Sequence, residues 1–285
     1  MSIGGSTKPL YLLVDNGSIR AESALALRRI AGDLAQSTGE DVRPASLAHS
    51  TRIDVAELGG EPAPILKETL LDPDFDDHRP VVILPFFVGN RGAIVELVEK
   101  TIRESIEERP GLNVSMAPFL FEEDGRGQET LALALAERIR EKIDPKSDKE
   151  PTVVLVDHGS PRPVAAQVRN FVAGQVQALL KDEVAFVVPS SMERREGKAY
   201  AFTDPLLEEV LRRPRLRDNP IILAMFFLLP GRHAGDGGDV AEIREEAEKE
   251  FPALEIRTTE LLGNHPVVLG ALEKIIGEHK SSSNF

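Results

Sequence analysis

The chain has 285 residues, with 47 Asp+Glu against 34 Lys+Arg and neither cysteine nor tryptophan. At roughly 150 residues per domain this is about two domains, each long enough to bury a core of its own. The missing thiols exclude disulfides, thiolate metal sites and a cysteine nucleophile. A net charge of −13 argues against nucleic acid as the main partner, because phosphate binding needs clustered positive charge; a local group of cations can still hold a small anion.

The longest apolar run, Ile221 to Leu229, falls well short of the roughly 20 residues a spanning helix needs. The start of the chain lacks the apolar core and small-residue cleavage pattern of a signal peptide. No membrane association and a cytoplasmic location are expected.

In chain order the first half reads as strand 11–14, helix 21–37, strand 42–45, helix 64–71, strand 81–88, helix 93–108, strand 113–117 and helix 129–143. The second half reads as strand 152–156, helix 165–181, strand 184–188, helix 205–213, strand 221–228, helix 239–251, strand 254–258 and a last helix 266–276. Helix 239–251 starts on Asp239, carries Glu242 in its first turn and stops at Pro252. Val/Ile/Leu-rich runs alternating with amphipathic helices imply parallel strands covered on both faces.

The two halves are copies of one unit. Residues 12–18 recur at 154–160, 81–89 at 221–231 and 131–139 at 267–275, a period of about 140 residues. The polar stretch 144–151 separates them. The expected fold class is therefore α/β, with two similar domains, 1–145 and 146–285, each a four-stranded parallel sheet flanked by helices, and a cleft between them.

In open parallel sheets, ligands bind outside the carboxyl ends of the strands. The unusual polar residues of the second half collect there: His158 after its first strand, Glu193 with Arg194 and Arg195 after its second, Arg232 and His233 after its third, and His265 after its fourth. His78 and His279 lie in polar surroundings and read as solvated. Gly231, Gly235, Gly237 and Gly238 do not have the phosphate-loop spacing, and Asp239 would put a negative charge where a phosphate would sit. The Gly-x-Ser-x-Gly elbow of a serine nucleophile is also missing around Ser160. His158, His233 and Glu193 have the chemistry of an open site for Co²⁺, Ni²⁺, Fe²⁺ or Zn²⁺. The same imidazoles accept protons near neutral pH.

Four motifs in order at four strand ends carry a family resemblance. They are His158-Gly159-Ser160, the Glu193 loop followed by Asp204-Pro205, Phe226 to His233 through Pro230-Gly231-Arg232, and Leu262-Gly263-Asn264-His265-Pro266. With them the chain resembles a tandem sirohydrochlorin cobalto/ferrochelatase of the CbiX type, within the class II chelatases. The resemblance implies ATP-independent insertion of a divalent ion (Co²⁺, Fe²⁺ or Ni²⁺), itself a substrate, into a sirohydrochlorin-type tetrapyrrole, with no organic cofactor. It implies that His158 and His233 bind the metal and accept protons, with Glu193 as a catalytic helper. The substrate's many carboxylates give Ser160, Arg162, Arg194, Arg195, Lys198 and Arg232 a role in holding it.

The first half departs from the pattern. Asn16 replaces His158, Gly89-Asn90-Arg91-Gly92 replaces Pro230 to His233, and Ala117 to Phe121 stands where Leu262 to Pro266 would be. His49 matches Glu193 only if a short gap is allowed. The first half is expected to have lost its own site and to serve as the opposite wall of the cleft. Two rival readings stay open: a non-catalytic metal or tetrapyrrole carrier of the same fold, and a hydrolase or transferase whose Gly235–Gly238 loop binds a phosphorylated compound.

Overall fold

Strands with no polar face belong at the centre of a covered sheet. The computed structural model describes residues 8–75, 79–88, 93–120, 127–216, 218–235 and 237–282. Within it, β1 (Leu10–Asp15), β2 (Asp41–Ser46), β3 (Val81–Pro85) and β4 (Val114–Met116) form an all-parallel sheet in the order β2-β1-β3-β4. The second sheet repeats it with β5 (Thr152–Asp157), β6 (Phe186–Ser191), β7 (Ile221–Met225) and β8 (Ile256–Thr258), in the order β6-β5-β7-β8. β1, β3 and β7 are buried along their whole length, and β5 along all but its last residue.

The helices are α1 (Ala21–Thr38), α2 (Leu66–Leu70), α3 (Ala93–Glu108), α4 (Gln128–Arg140), α5 (Pro163–Leu179), α6 (Leu207–Leu211), α7 (Asp239–Glu250) and α8 (Pro266–Ser282). Gly39 ends α1 in the left-handed conformation and donates its N–H to the Ala35 carbonyl. Pro163, whose fixed φ suits a first turn, opens α5. No described helix is long and apolar enough to cross a membrane.

All sixteen expected elements are present, with shifted ends. The second strand of the second half runs Phe186–Ser191 rather than 184–188. An edge strand tolerates Pro189, which has no N–H, and the ladder continues because the Ser190 and Ser191 hydroxyls are satisfied inside, on the Leu155 carbonyl and the Asp157 carboxylate. The third strand stops at Met225 rather than 228. Beyond it the Phe227 and Leu228 carbonyls accept from the Leu262 and Gly263 N–H groups.

Two compact units result, one of residues up to 124 with 269 onward, the other of 125–268. The boundary near 145 separates the repeats but not these units, because each repeat's last helix folds elsewhere. α4 packs on α5 and β7 in the second unit, burying Leu131, Leu135 and Ile139 completely. Most of α8 belongs to the first unit, where His279 meets Tyr11 edge-on at 5.9 Å and Lys280 pairs with Glu40 at 2.7 Å.

Each first strand ends on a carboxylate held by a serine of its neighbour. Ser46 donates to Asp15 at 2.7 Å in one unit, and Ser191 to Asp157 at 2.6 Å in the other. Asp15 is 6% exposed, and burial pushes its carboxyl up to about 6 against the bonds from Ser46 and Gly17. A carboxyl raised on folding stabilises the fold in acid and loses that contribution as pH rises through about 6. Asp15→Asn is therefore expected to stabilise the protein at pH 7.5 by at most about 3 kcal/mol and to have little effect at pH 4. Melting curves at both pH values check this; an equal shift at the two would contradict it.

Candidate functional site

The order β6-β5-β7-β8 puts the topological switch of the second sheet between β5 and β7, where such folds open a crevice beyond the strand ends. His158 directly follows β5, and His233 lies in the segment leaving β7. Their rings meet with centroids 4.3 Å apart and planes at 52°. Glu193, beyond β6, brings Oε1 to 3.4 Å from His158 Nε2. Three residues expected from the sequence thus come together within the second unit. Among the described residues no group of three His, Asp or Glu side chains is set to hold a metal ion. The site instead offers two imidazoles flanked by one exposed carboxylate.

Backbone geometry sets these distances. Met192 N–H donates to the Asp157 carbonyl at 2.8 Å and Glu193 N–H to that of His158 at 3.2 Å, carrying the ladder past the strands. Gly159 has φ +89°, and a Cβ there would lie 1.9 Å from the Glu193 carbonyl oxygen. Only glycine permits this approach. Underneath, burial pushes the Asp157 carboxyl up, opposed by the Ser191 bond, the Arg169 guanidinium and the Gly159 N–H.

His233 is held differently. Its Nδ1 lies 2.6 Å from Asp239 Oδ2 at the start of α7. A proton shared there leaves the Nε2 lone pair free, the usual arrangement of a carboxylate-oriented ligand histidine. The loop folds back on the helix: Asp239 N–H donates to the Arg232 carbonyl and Val240 N–H to that of His233. Gly238 makes room, since a Cβ would come within 3.0 Å of the Arg232 oxygen. These first helical N–H groups are therefore committed to carbonyls, which disfavours the phosphate cradle; Asp236 of that loop lies outside the described residues.

Burial pushes His158 below the ordinary imidazole range and neighbouring His233 pushes the same way, against Glu193, Asp157 and Asp239. His158 is thus favoured in the neutral form that binds metals and accepts protons.

The expected substrate-binding residues divide. Arg162, Arg195, Lys198 and Arg232 are exposed on the same loops. Arg194 grips both carboxylate oxygens of Asp204. The Ser160 hydroxyl accepts from the Arg162 N–H at 3.2 Å, as Ser18 does from Arg20 at 3.0 Å in the first unit, so it shapes the turn into α5. His265, 2% exposed, turns to α4 instead: Nε2 is 3.5 Å from Glu137 Oε2, and Nδ1 accepts from Val267 N–H in the first turn of α8. Neighbouring Asn264 accepts from Arg138 at 2.9 Å.

The first unit repeats the frame with different side chains at the positions of His158 and Glu193. Gly17 has φ +83°, with its missing Cβ against the Ala48 carbonyl oxygen, and Leu47 N–H donates to Asp15. Ala48, not His49, is therefore the counterpart of Glu193, and Asn16 that of His158. His49 follows at φ 70° and is exposed. Residues 89–92 lie outside the described residues, as do Phe121 and His78.

A protein-family model named CbiX matches residues 152–279, from β5 into α8, and so takes in all four strand-end loops. Over this segment, somewhat less than half of the chain, the protein is similar to the CbiX family, a likeness the four loop motifs anticipated. Two solved structures resemble the whole chain in fold. SirB from Bacillus subtilis, solved with Fe³⁺, has a TM-score of 0.68 at 14% identity, over 98% of each chain. DR2241 from Deinococcus radiodurans, described as a multi-domain protein with structural similarity to chelatases and two additional novel domains, has a TM-score of 0.62 at 20% identity, over 95% of this chain and 55% of that one. No curated protein matches. The CbiX segment carries His158, Glu193 and His233; the repeat before it, which the family model does not reach, has Asn16 and Ala48 in the positions of the first two.

Gly159→Ala is expected to lower stability by about 2 kcal/mol or more. Gly174→Ala on α5, where a Cβ meets nothing within 4 Å, is expected to be neutral or to raise it by up to about 1 kcal/mol. Chemical denaturation compares the two, and equal effects would contradict the close approach.

Proposed function

We propose that the chain is an ATP-independent chelatase whose CbiX segment inserts Co²⁺, Fe²⁺ or Ni²⁺ into a sirohydrochlorin-type tetrapyrrole. The observation that carries the reading is the imidazole pair His158–His233, rings 4.3 Å apart with Glu193 beside it, in the segment that matches the CbiX family. In the reaction a divalent ion enters the macrocycle, two pyrrole N–H bonds break, and both protons pass to the protein or to water. His158, lowered below the ordinary imidazole range, and His233, oriented by Asp239, hold the ion on one face of the ring, which is a gain in proximity. Few ligands suit this task, because an ion in transit must be released; a closed four-ligand site would retain it. Glu193, exposed beside His158, takes up a pyrrole proton. Arg162, Arg195, Lys198 and Arg232 engage the substrate's peripheral carboxylates. Fe³⁺ in SirB supports a metal-handling role for this fold.

The test adds Co²⁺ or Fe²⁺ to protein and sirohydrochlorin and follows the visible spectrum. Acceleration is expected, with a loss of about a hundredfold or more in His158→Ala and His233→Ala. Stoichiometric binding without acceleration would instead make the protein a carrier. The pH profile is a second check. Because burial and His233 lower His158, the acid fall in rate that reports this residue is expected to be centred below the ordinary imidazole range. A fall centred above pH 7 would contradict the assignment.

A further inference from the structure

Among the described residues, the largest completely buried side chain is a cation. Arg169 lies on α5 in line with Ala166, Val172, Ala173 and Val176, all buried. A guanidinium in such a stripe is costly unless its donors are met. It donates to the Ser191 hydroxyl, to the Thr203 carbonyl at 2.9 Å and to the Asp204 carbonyl at 3.4 Å, and lies 3.6 Å from Asp157 Oδ1. One planar fork therefore ties the last residue of β5, the last residue of β6 and the segment after the Glu193 loop. Asp157 immediately precedes His158, and Ser191 stands two residues before Glu193.

The first unit is an internal control. It builds the same register, the same Asp–Ser pair and the same close-approach glycine with Leu27 at the matching position of α1, 2% exposed. The frame therefore folds without the arginine. The unit that lacks the guanidinium has Asn16 and Ala48; the unit that has it carries His158 and Glu193.

We propose that Arg169 is a positioning residue of the metal site, which braces the ends of β5 and β6 and the segment after the Glu193 loop and so holds the His158 and Glu193 side chains steady on the frame that the backbone sets. The proposal rests on the chelatase reading for its catalytic consequence, but not for its effect on metal binding. Arg169→Leu installs the first unit's own solution, and Arg169→Lys keeps the charge without the fork.

The experiment uses the full chain, with Co²⁺ alone titrated by its visible absorption and, separately, chelation kinetics with sirohydrochlorin. Arg169→Leu is expected to keep the wild-type circular dichroism, weaken Co²⁺ binding about tenfold and lower kcat about tenfold or more, with the macrocycle KM within about twofold. Arg169→Lys is expected to recover part of both losses. If Arg169→Leu does not fold, Arg169→Lys carries the test, with a smaller loss of the same kind. A folded variant with wild-type affinity and kcat overturns the proposal. So does a loss that only tracks the unfolded fraction. If the wild type binds Co²⁺ but inserts none, the chelatase reading falls and the affinities alone decide the role of Arg169. A wild type that binds no Co²⁺ overturns both.

Discussion

Two strand ends that touch backbone to backbone are the constraint on which the site depends. Where Gly159 passes beneath the Glu193 carbonyl there is no room for a Cβ, and the positive φ of that residue turns the chain out of the sheet and into α5. The approach lets the ladder continue for two further hydrogen bonds, so His158 and Glu193 inherit the precision of a parallel pair rather than the freedom of two loops. His233 arrives by an independent route, on a loop folded back against the first turn of α7 and fixed by Asp239. The site is thus assembled from two rigid supports that meet at the switch point of one sheet.

The first unit shows which parts of this arrangement belong to folding. Gly17, Ser46 and Asp15 repeat the backbone turn and the buried carboxylate, while Leu27, Asn16 and Ala48 replace the groups that bring charge and ligands. A buried Asp with no guanidinium at the Arg169 position costs stability at neutral pH, and burial accordingly holds Asp15 at about 6.

The fold was legible in the sequence because its signals are strong and local. Unbroken Val, Ile and Leu runs, amphipathic stretches between them and a repeated turn motif placed every strand and helix to within a few residues. His158, Glu193 and His233 were legible because they follow buried strands on one edge. Pattern alone could not show what depends on register. Glu193 matches Ala48 rather than His49, and only the hydrogen bonds from Leu47 and Met192 reveal it. The Ser160 hydroxyl and His265 Nδ1 each accept a backbone N–H at a helix start, a contact that local sequence leaves open. Arg169 was overlooked, although its place in the Ala166–Val172–Val176 stripe marked it as a charge on a buried face. Asp239 read as the start of a helix, and its bond to His233 becomes visible only once the loop is folded.

The exchange of terminal helices has a consequence for synthesis. The unit that carries the CbiX site, residues 125–268, is continuous in the chain and can close as soon as it leaves the ribosome. The first unit cannot, although its sheet is made first, because it takes residues from 269 onward to complete it. Its apolar face, made early, must wait for α8, a window in which exposed strands are prone to aggregate. The unit that the chain begins first is thus completed by its most C-terminal described helix.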